Sequence, residues 1–178
     1  MGNTYMDLLG ARLLAKNIDQ LAEVQTADAL KGKYVALYFS ASWCPPCRAF
    51  TPVLRKLYLL CTAKKIPLEI VFVSSDKNVD EFKEYFLQHM PWLAVPYENS
   101  AARQALSRKV GVMGIPTLCI IDPEGNMINS NARAAVIKDP ECAKFPWAGQ
   151  QESALAGYGP ALLMALLFAV YYLWKHFA

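Results

Sequence analysis

At 178 residues, 54% of them hydrophobic, the chain is long enough for one well-buried domain and too short for two of ordinary size. Its formal net charge of +3 is scattered, with no run of five like charges, which gives no support to nucleic-acid binding. Five cysteines, Cys44, Cys47, Cys61, Cys119 and Cys142, hold only one close pair; this is unlike the dense, even framework of a small secreted domain and favours a reducing compartment.

The first segment, "MGNTYMDLLGARLLAKN", has no continuous apolar stretch ending in a small-residue cleavage site, so no secretory signal is expected. Met6 stands where a myristoylation motif starting at Gly2 requires Ser or Thr. Next, "YVALYFS" (Tyr34 to Ser40) and "LEIVFVSS" (Leu68 to Ser75) are short β-branched or aromatic runs that predict buried strands. Between them a helical pattern sets Phe50, Leu54, Leu57, Tyr58 and Cys61 on one stripe. Strand, helix and strand over some 40 residues predict a βαβ unit with parallel pairing.

Further on, "VDEFKEYFLQHM" places Phe82, Tyr85, Phe86 and His89 at helical spacing, and "SAARQALSRKV" predicts another short helix before Gly111. "TLCII" (Thr117 to Ile121) and "NMINS" (Asn126 to Ser130) flank Asp122-Pro123-Glu124-Gly125, a hairpin signal. A last helix from about Ala132 to Lys138 is expected to cover the sheet. From Ala154 the chain runs uncharged through Trp174 before Lys175 and His176. About 20 apolar residues can span a bilayer as a helix, and Leu162 to Tyr172 shows no polar face, although Gly157, Gly159 and Pro160 shorten the uninterrupted part. The expected organisation is a domain over 1–148, a linker over 149–159 and a single-pass C-terminal anchor over 160–174. Because such a span leaves the ribosome last, the domain would lie on the cytosolic face of an intracellular membrane. The short apolar stretch beside Lys175 favours the mitochondrial outer membrane over the endoplasmic reticulum.

"SASWCPPCRAF" (Ser40 to Phe50) carries the chemistry. If a helix begins at Cys44, its sulfur meets unpaired backbone N–H groups and the positive end of the helix dipole, which favour a thiolate. Cys44 is then the nucleophile. Pro45 and Pro46 suit a first helical turn, where their missing N–H groups have no partner in any case. Cys47, one turn on and facing inward, is placed to attack the mixed disulfide formed on Cys44. A zinc site needs two more ligands, yet the chain has no second close cysteine pair and only His89 and His176, so no metal is expected. A Cys/His hydrolase would need a histidine beside the sulfur, and His89 reads as a packing or surface residue. Cys61 and Cys119 fall on apolar stripes as small hydrophobes; Cys142, among polar residues, reads as exposed and without a role. Pro116, just before a strand, admits either a cis Ile115–Pro116 bond at a sharp turn or an ordinary trans proline.

Together "WCPPCR" after "YFSAS", then "MPWLAVPY" (Met90 to Tyr97), "GIPTL" and "KDPECAKFPW" (Lys138 to Trp147) resemble the thioredoxin superfamily, and within it the tryparedoxins and nucleoredoxin domains, over roughly Leu8 to Trp147. The tail resembles that of membrane-anchored tryparedoxins. The resemblance implies an α/β thioredoxin-like fold, a central mixed sheet flanked by helices, with a C-terminal hydrophobic helix added. It implies a cofactor-free thiol–disulfide oxidoreductase, reduced by the dithiol trypanothione and passing electrons to peroxiredoxin-type peroxidases and other disulfide clients. By position, Cys44 attacks and Cys47 resolves, forming the redox-active disulfide. Trp43 shields the site, Ile115 and a cis Pro116 offer backbone contacts to substrate, and Arg133 is the matching basic residue. Tyr38 stands where thioredoxins proper carry a buried Asp, which leaves Asp76 as the candidate for proton transfer with Cys47. Tryparedoxins usually carry a Trp just before that Asp, where this chain has Ser75; the segment reads more like nucleoredoxin. Two alternatives therefore stand beside the first reading: a nucleoredoxin-like reductase served by a thioredoxin reductase system, and a membrane-tethered, redox-regulated adaptor.

Overall fold

The computed structural model describes residues 5, 7–18 and 20–149. After a 3-10 turn at Asp7–Leu9, the chain forms β1 (Arg12–Asn17), β2 (Gln20–Gln25), α1 (Thr26–Leu30), β3 (Tyr34–Ser40), α2 (Pro45–Ala63), β4 (Leu68–Ser74) and α3 (Val79–His89). It continues through β5 (Leu93–Ala94), α4 (Ser100–Val110), β6 (Thr117–Ile121), β7 (Met127–Asn129) and α5 (Arg133–Lys138). Among the described residues the strands form one mixed sheet in the order β2-β1-β5-β4-β3-β6-β7.

The central pair follows from the apolar runs. β3 and β4 pair in parallel over their whole length, Tyr34 opposite Leu68 through Ser40 opposite Ser74, with α2 as the crossover. Both strands are buried almost throughout, as a sheet covered on two faces requires. Alternation divides β3 between two cores: Ala36 and Tyr38 pack with Phe50, Leu54, Leu57, Phe82 and Val136, whereas Val35, Leu37 and Phe39 pack with Leu9, Leu13, Leu30 and Leu106. The first core is aromatic. Phe72 of β4 stacks on Phe82 and Phe86 of α3, with ring centroids 5.8 and 6.3 Å away and nearly parallel planes. Truncating such a ring to Ala costs about 3–5 kcal/mol.

α3 and α4 start at side-chain caps: Asn78 accepts from the Glu81 N–H and Asn99 from the Ala102 N–H. Gly111, at φ 73°, ends α4 in the left-handed conformation that glycine adopts without a Cβ penalty. The β6–β7 hairpin closes through the Asp122 carboxylate, which accepts from the Asn126 N–H at 2.7 Å, and the Gly125 N–H donates to the Asp122 carbonyl.

Two parts of the sequence reading change. The N-terminal segment, in which no element was expected, forms the antiparallel β1–β2 hairpin, which joins the sheet by pairing Leu14 with Ala94 of the two-residue β5. Its half-polar pattern suits an edge hairpin covered on one face, a weaker signal than that of the doubly buried strands. Cys142, expected to be exposed, is buried at 6% exposure. The linker beginning at residue 149 is represented only by Gly149, whose N–H donates to the Ile128 carbonyl at 2.8 Å. The remainder of that linker and the apolar 160–174 segment lie outside the described residues. Among the described residues no helix is long and apolar enough to cross a membrane.

Candidate active site

The site forms where β3 hands over to α2. The strand ends at Ser40, a short turn follows, and Cys44 becomes the N-cap of α2, its sulfur accepting the Cys47 N–H at 3.3 Å. Pro45 and Pro46 occupy the first two helical positions, as expected. Cys44 and Cys47 are joined as a disulfide. Cys44 is nearly covered and Cys47 wholly so, leaving Cys44 as the sulfur that an incoming partner meets first.

Three segments converge on this pair. The Ile115 carbonyl lies 3.8 Å from the Cys44 sulfur, and the Ile115–Pro116 peptide bond is cis. Arg133, at the start of α5, donates to the Pro116 carbonyl at 3.3 Å and lies over the Phe50 ring, its guanidinium carbon 5.4 Å from the centroid. Trp43 is half exposed, with its indole Nε1 donating to the Ser75 carbonyl at 3.1 Å. Met113 is fully exposed in the loop before Ile115. The surface around the disulfide thus carries an aromatic, an aliphatic rim and cations: Arg133 on one side and, beside Trp43, Lys77, whose Nζ lies 6.0 Å from the indole ring centroid.

Asp76 is buried and ties two chain segments together: it accepts from the Ser42 N–H and from the Ser74 hydroxyl, each at 2.7 Å. Its carboxylate therefore clamps the loop that carries Trp43 and Cys44, with its hydrogen bonds running to Ser42 and Ser74 rather than to Cys47. Exposed His89 lies against the Tyr85 ring.

Behind Cys47 the sequence reading missed a buried hydroxyl cluster. The Thr51 hydroxyl donates to the Cys47 carbonyl at 3.0 Å and lies 2.8 Å from the Tyr38 hydroxyl and 2.5 Å from that of Tyr85. Ser40 donates to the Tyr38 oxygen at 3.0 Å. Burial pushes the Tyr38 hydroxyl well above the ordinary tyrosine range, with the bonds from Ser40 and Thr51 pulling the other way. Tyr38 is thus a neutral group below the sulfur where a carboxylate would be charged. The cluster has a signal in the sequence: Tyr38 and Ser40 are two apart on a strand, and Cys47 and Thr51 four apart on a helix, so each pair shares a face.

The arrangement can exchange a disulfide for a dithiol, with Cys44 accessible and Cys47 held one turn behind it. The comparisons with known proteins agree. A family model described as Thioredoxin-like matches residues 32–127. A nucleoredoxin of Danio rerio is 50% identical over 125 residues, 69% of this chain but 30% of that protein. Tryparedoxin of Trypanosoma brucei brucei is 47% identical over 120 residues, covering 67% of this chain and 82% of that protein. The chain thus spans a fifth to a third of the length of the nucleoredoxins it matches. Among solved structures, tryparedoxin II from C. fasciculata superposes with a TM-score of 0.73 at 38% identity, covering 82% of this chain and 99% of that one. A tryparedoxin II complexed with glutathionylspermidine gives 0.72 at 40% identity over 79% of this chain and 94% of that one.

Proposed function

The chain belongs to the thioredoxin-like family and its domain is a protein-disulfide oxidoreductase; from that premise we propose that it reduces client disulfides with electrons supplied by a thioredoxin reductase system, in the manner of a nucleoredoxin domain. Ser75 is the observation that carries this choice. It is exposed beside Trp43, whose indole is held by the Ser75 carbonyl, so the second aromatic with which tryparedoxins hold trypanothione is missing from that wall.

In the proposed cycle the Cys44 thiolate attacks one sulfur of a client disulfide, forming a mixed disulfide and releasing the other client sulfur as a thiolate. Cys47 then loses its proton and attacks the Cys44 sulfur, re-forming the Cys44–Cys47 disulfide and freeing the second client thiol. The reductant returns two electrons and two protons. Helix α2 favours the Cys44 thiolate through the Cys47 N–H that caps it and the positive end of the helix dipole, Pro45 and Pro46 having no N–H to offer. Ile115 and Pro116 supply the backbone edge against which the client strand lies, Trp43 covers the sulfur, and Arg133 fixes the Pro116 carbonyl. We propose that Asp76, a buried carboxylate whose own bonds run to Ser42 and Ser74, takes up the proton that Cys47 loses; an unchanged rate of Cys47 attack in Asp76→Asn would remove that proposal.

A second reading, reduction by trypanothione and delivery to peroxidases, is supported by the likeness to a tryparedoxin II complexed with glutathionylspermidine. One reconstitution separates the two. Full-length protein is supplied either with trypanothione and its reductase or with thioredoxin reductase and NADPH, using a peroxiredoxin as client and Cys44→Ser as blank. Turnover with thioredoxin reductase alone is the expected result. Turnover with trypanothione alone would establish the second reading. Client binding that survives Cys44→Ser without turnover in either system would favour the adaptor. The uncharged run Ala154 to Trp174 supports a further proposal, that the domain is tethered to the cytosolic face of the mitochondrial outer membrane. Release of the full chain from mitochondria by alkaline carbonate would overturn it.

A further inference from the structure

Helix α2 carries a second pair of sulfur atoms near its other end. Cys61 lies 17 residues after Cys44, about 25 Å away at the helical rise of 1.5 Å per residue. Its sulfur is 2.8 Å from that of Cys142, well inside the ~3.5–4.0 Å at which non-bonded heavy atoms normally rest. Both residues are buried, at 1% and 6% exposure. We propose that Cys61 and Cys142 form a second disulfide, a structural staple independent of the catalytic pair, that fastens the C-terminal turn to the core.

The surrounding chain brings the two thiols together without help from the sulfur. The Asp139 carboxylate accepts from the Ala143 and Lys144 N–H groups and from the Trp147 indole, which folds residues 139–147 into a compact turn. Lys64, the C-cap of α2, donates to the Glu141 carbonyl at 2.7 Å and so docks the turn where the helix ends. Cys142 sits at φ 56°, a conformation that favours glycine. A side chain there is disfavoured locally, and the one present lies against the only other thiol at this end of the helix. Joining the pair requires a movement of under about 1 Å to reach the 2.05 Å bond.

The oxidant is a peroxide. The Cys142 sulfur attacks one peroxide oxygen, forming an S–O bond as the O–O bond breaks, and the first water leaves. Cys61 then attacks the Cys142 sulfur; the S–S bond forms, the S–O bond breaks, and the Cys61 proton leaves with the second water. Two thiols are oxidised by two electrons and one peroxide becomes two waters. Disulfide exchange with the catalytic pair of the same molecule is excluded by the length of the helix between them.

The test uses the full chain carrying Cys44→Ser and Cys47→Ser, so that Cys61, Cys119 and Cys142 are its only thiols. After hydrogen peroxide treatment the protein is denatured, alkylated, digested and weighed. A cross-linked Cys61–Cys142 peptide two hydrogens lighter than its parts is expected, with Cys119 alone alkylated. The melting midpoint should rise by about 10 °C on oxidation and fall back with reductant, since the bond spans 81 residues. Cys142→Gly, which suits the positive φ and therefore folds, should show no peroxide-dependent shift. Alkylation of all three cysteines after oxidation, oxidised Cys142 without a cross-link, or an equal shift in Cys142→Gly would each overturn the proposal.

Discussion

The two ends of α2 hold the same chemical group in opposite circumstances. At the start, Cys44 caps the helix, its sulfur accepts the Cys47 N–H, and it is the less covered sulfur of the pair. Near the finish, Cys61 lies in the core, where burial first and the neighbouring Cys142 thiol second push its ionisation far above the ordinary range. Cys119, in the middle of β6, is pushed up to about 12 by burial. A cysteine therefore ionises readily or holds its proton according to where backbone donors and water stand around it, and the difference along one helix is a matter of about 25 Å.

The sharpest way to break this contrast is to remove one sulfur at each end. Cys44→Ser should lower turnover of a disulfide client by about a thousandfold or more, because Cys47, the thiol left in the pair, is wholly buried. Cys142→Gly should stay within about twofold in the same NADPH-consumption assay; comparable losses would mean that the two ends act as one unit. Next in size, Asp139→Ala strips three donors of their acceptor at the far end and should reduce unfolding free energy by about 3 kcal/mol in a urea titration. Burial alone would raise the Asp139 carboxyl, but bonds from Lys144, Trp147 and Ala143 outweigh it and hold it below its usual value. Its contribution is thus present above about pH 4, the unfolded value, and disappears as pH falls through the lower folded one. Turnover by the folded variant should be unchanged.

At the catalytic end the matching experiment is Thr51→Val, which keeps the shape and deletes the hydroxyl bonded to the Cys47 carbonyl and shared by Tyr38 and Tyr85. A loss of about 1–2 kcal/mol is expected, together with a longer-lived mixed disulfide in rapid-quench mass spectrometry. An unchanged lifetime would confine the cluster to stability. The smallest effect is alkaline. Tyr38 and Tyr58 are both raised by burial, Tyr58 further by Glu69, so each binds its proton more tightly folded than unfolded. The stability they contribute is complete below about pH 10 and declines as pH rises beyond it, and Tyr38→Phe should flatten that decline in melts between pH 9 and 11.

Most of the catalytic end was legible in the sequence. The βαβ unit, the helix start at Cys44 and the paired prolines depend on strong local signals: doubly buried strands, an N-cap, a motif at fixed spacing; the site roles of Ile115, Pro116 and Arg133 came into view only through the family resemblance. The far end was not legible. Cys142 looked exposed because its neighbours are polar, and nothing local reports that Lys64, 77 positions before Glu141, docks against α2 the turn that Asp139 folds. The β1–β2 hairpin was missed because one covered face gives a weak alternation. The Thr51 cluster was readable by spacing, but hydroxyls carry no formal charge to draw attention to them.

The capping bond from the Cys47 amide to the Cys44 sulfur gives the helix a direct view of the electron count. In the disulfide that amide faces a neutral acceptor; after reduction it faces a thiolate, and a charge-assisted hydrogen bond is shorter and roughly twice as strong. The Cys47 amide proton is therefore a built-in spectroscopic gauge. Its resonance should move downfield as the pair is reduced, so that a titration of that one signal reads the redox state of the protein without any added probe.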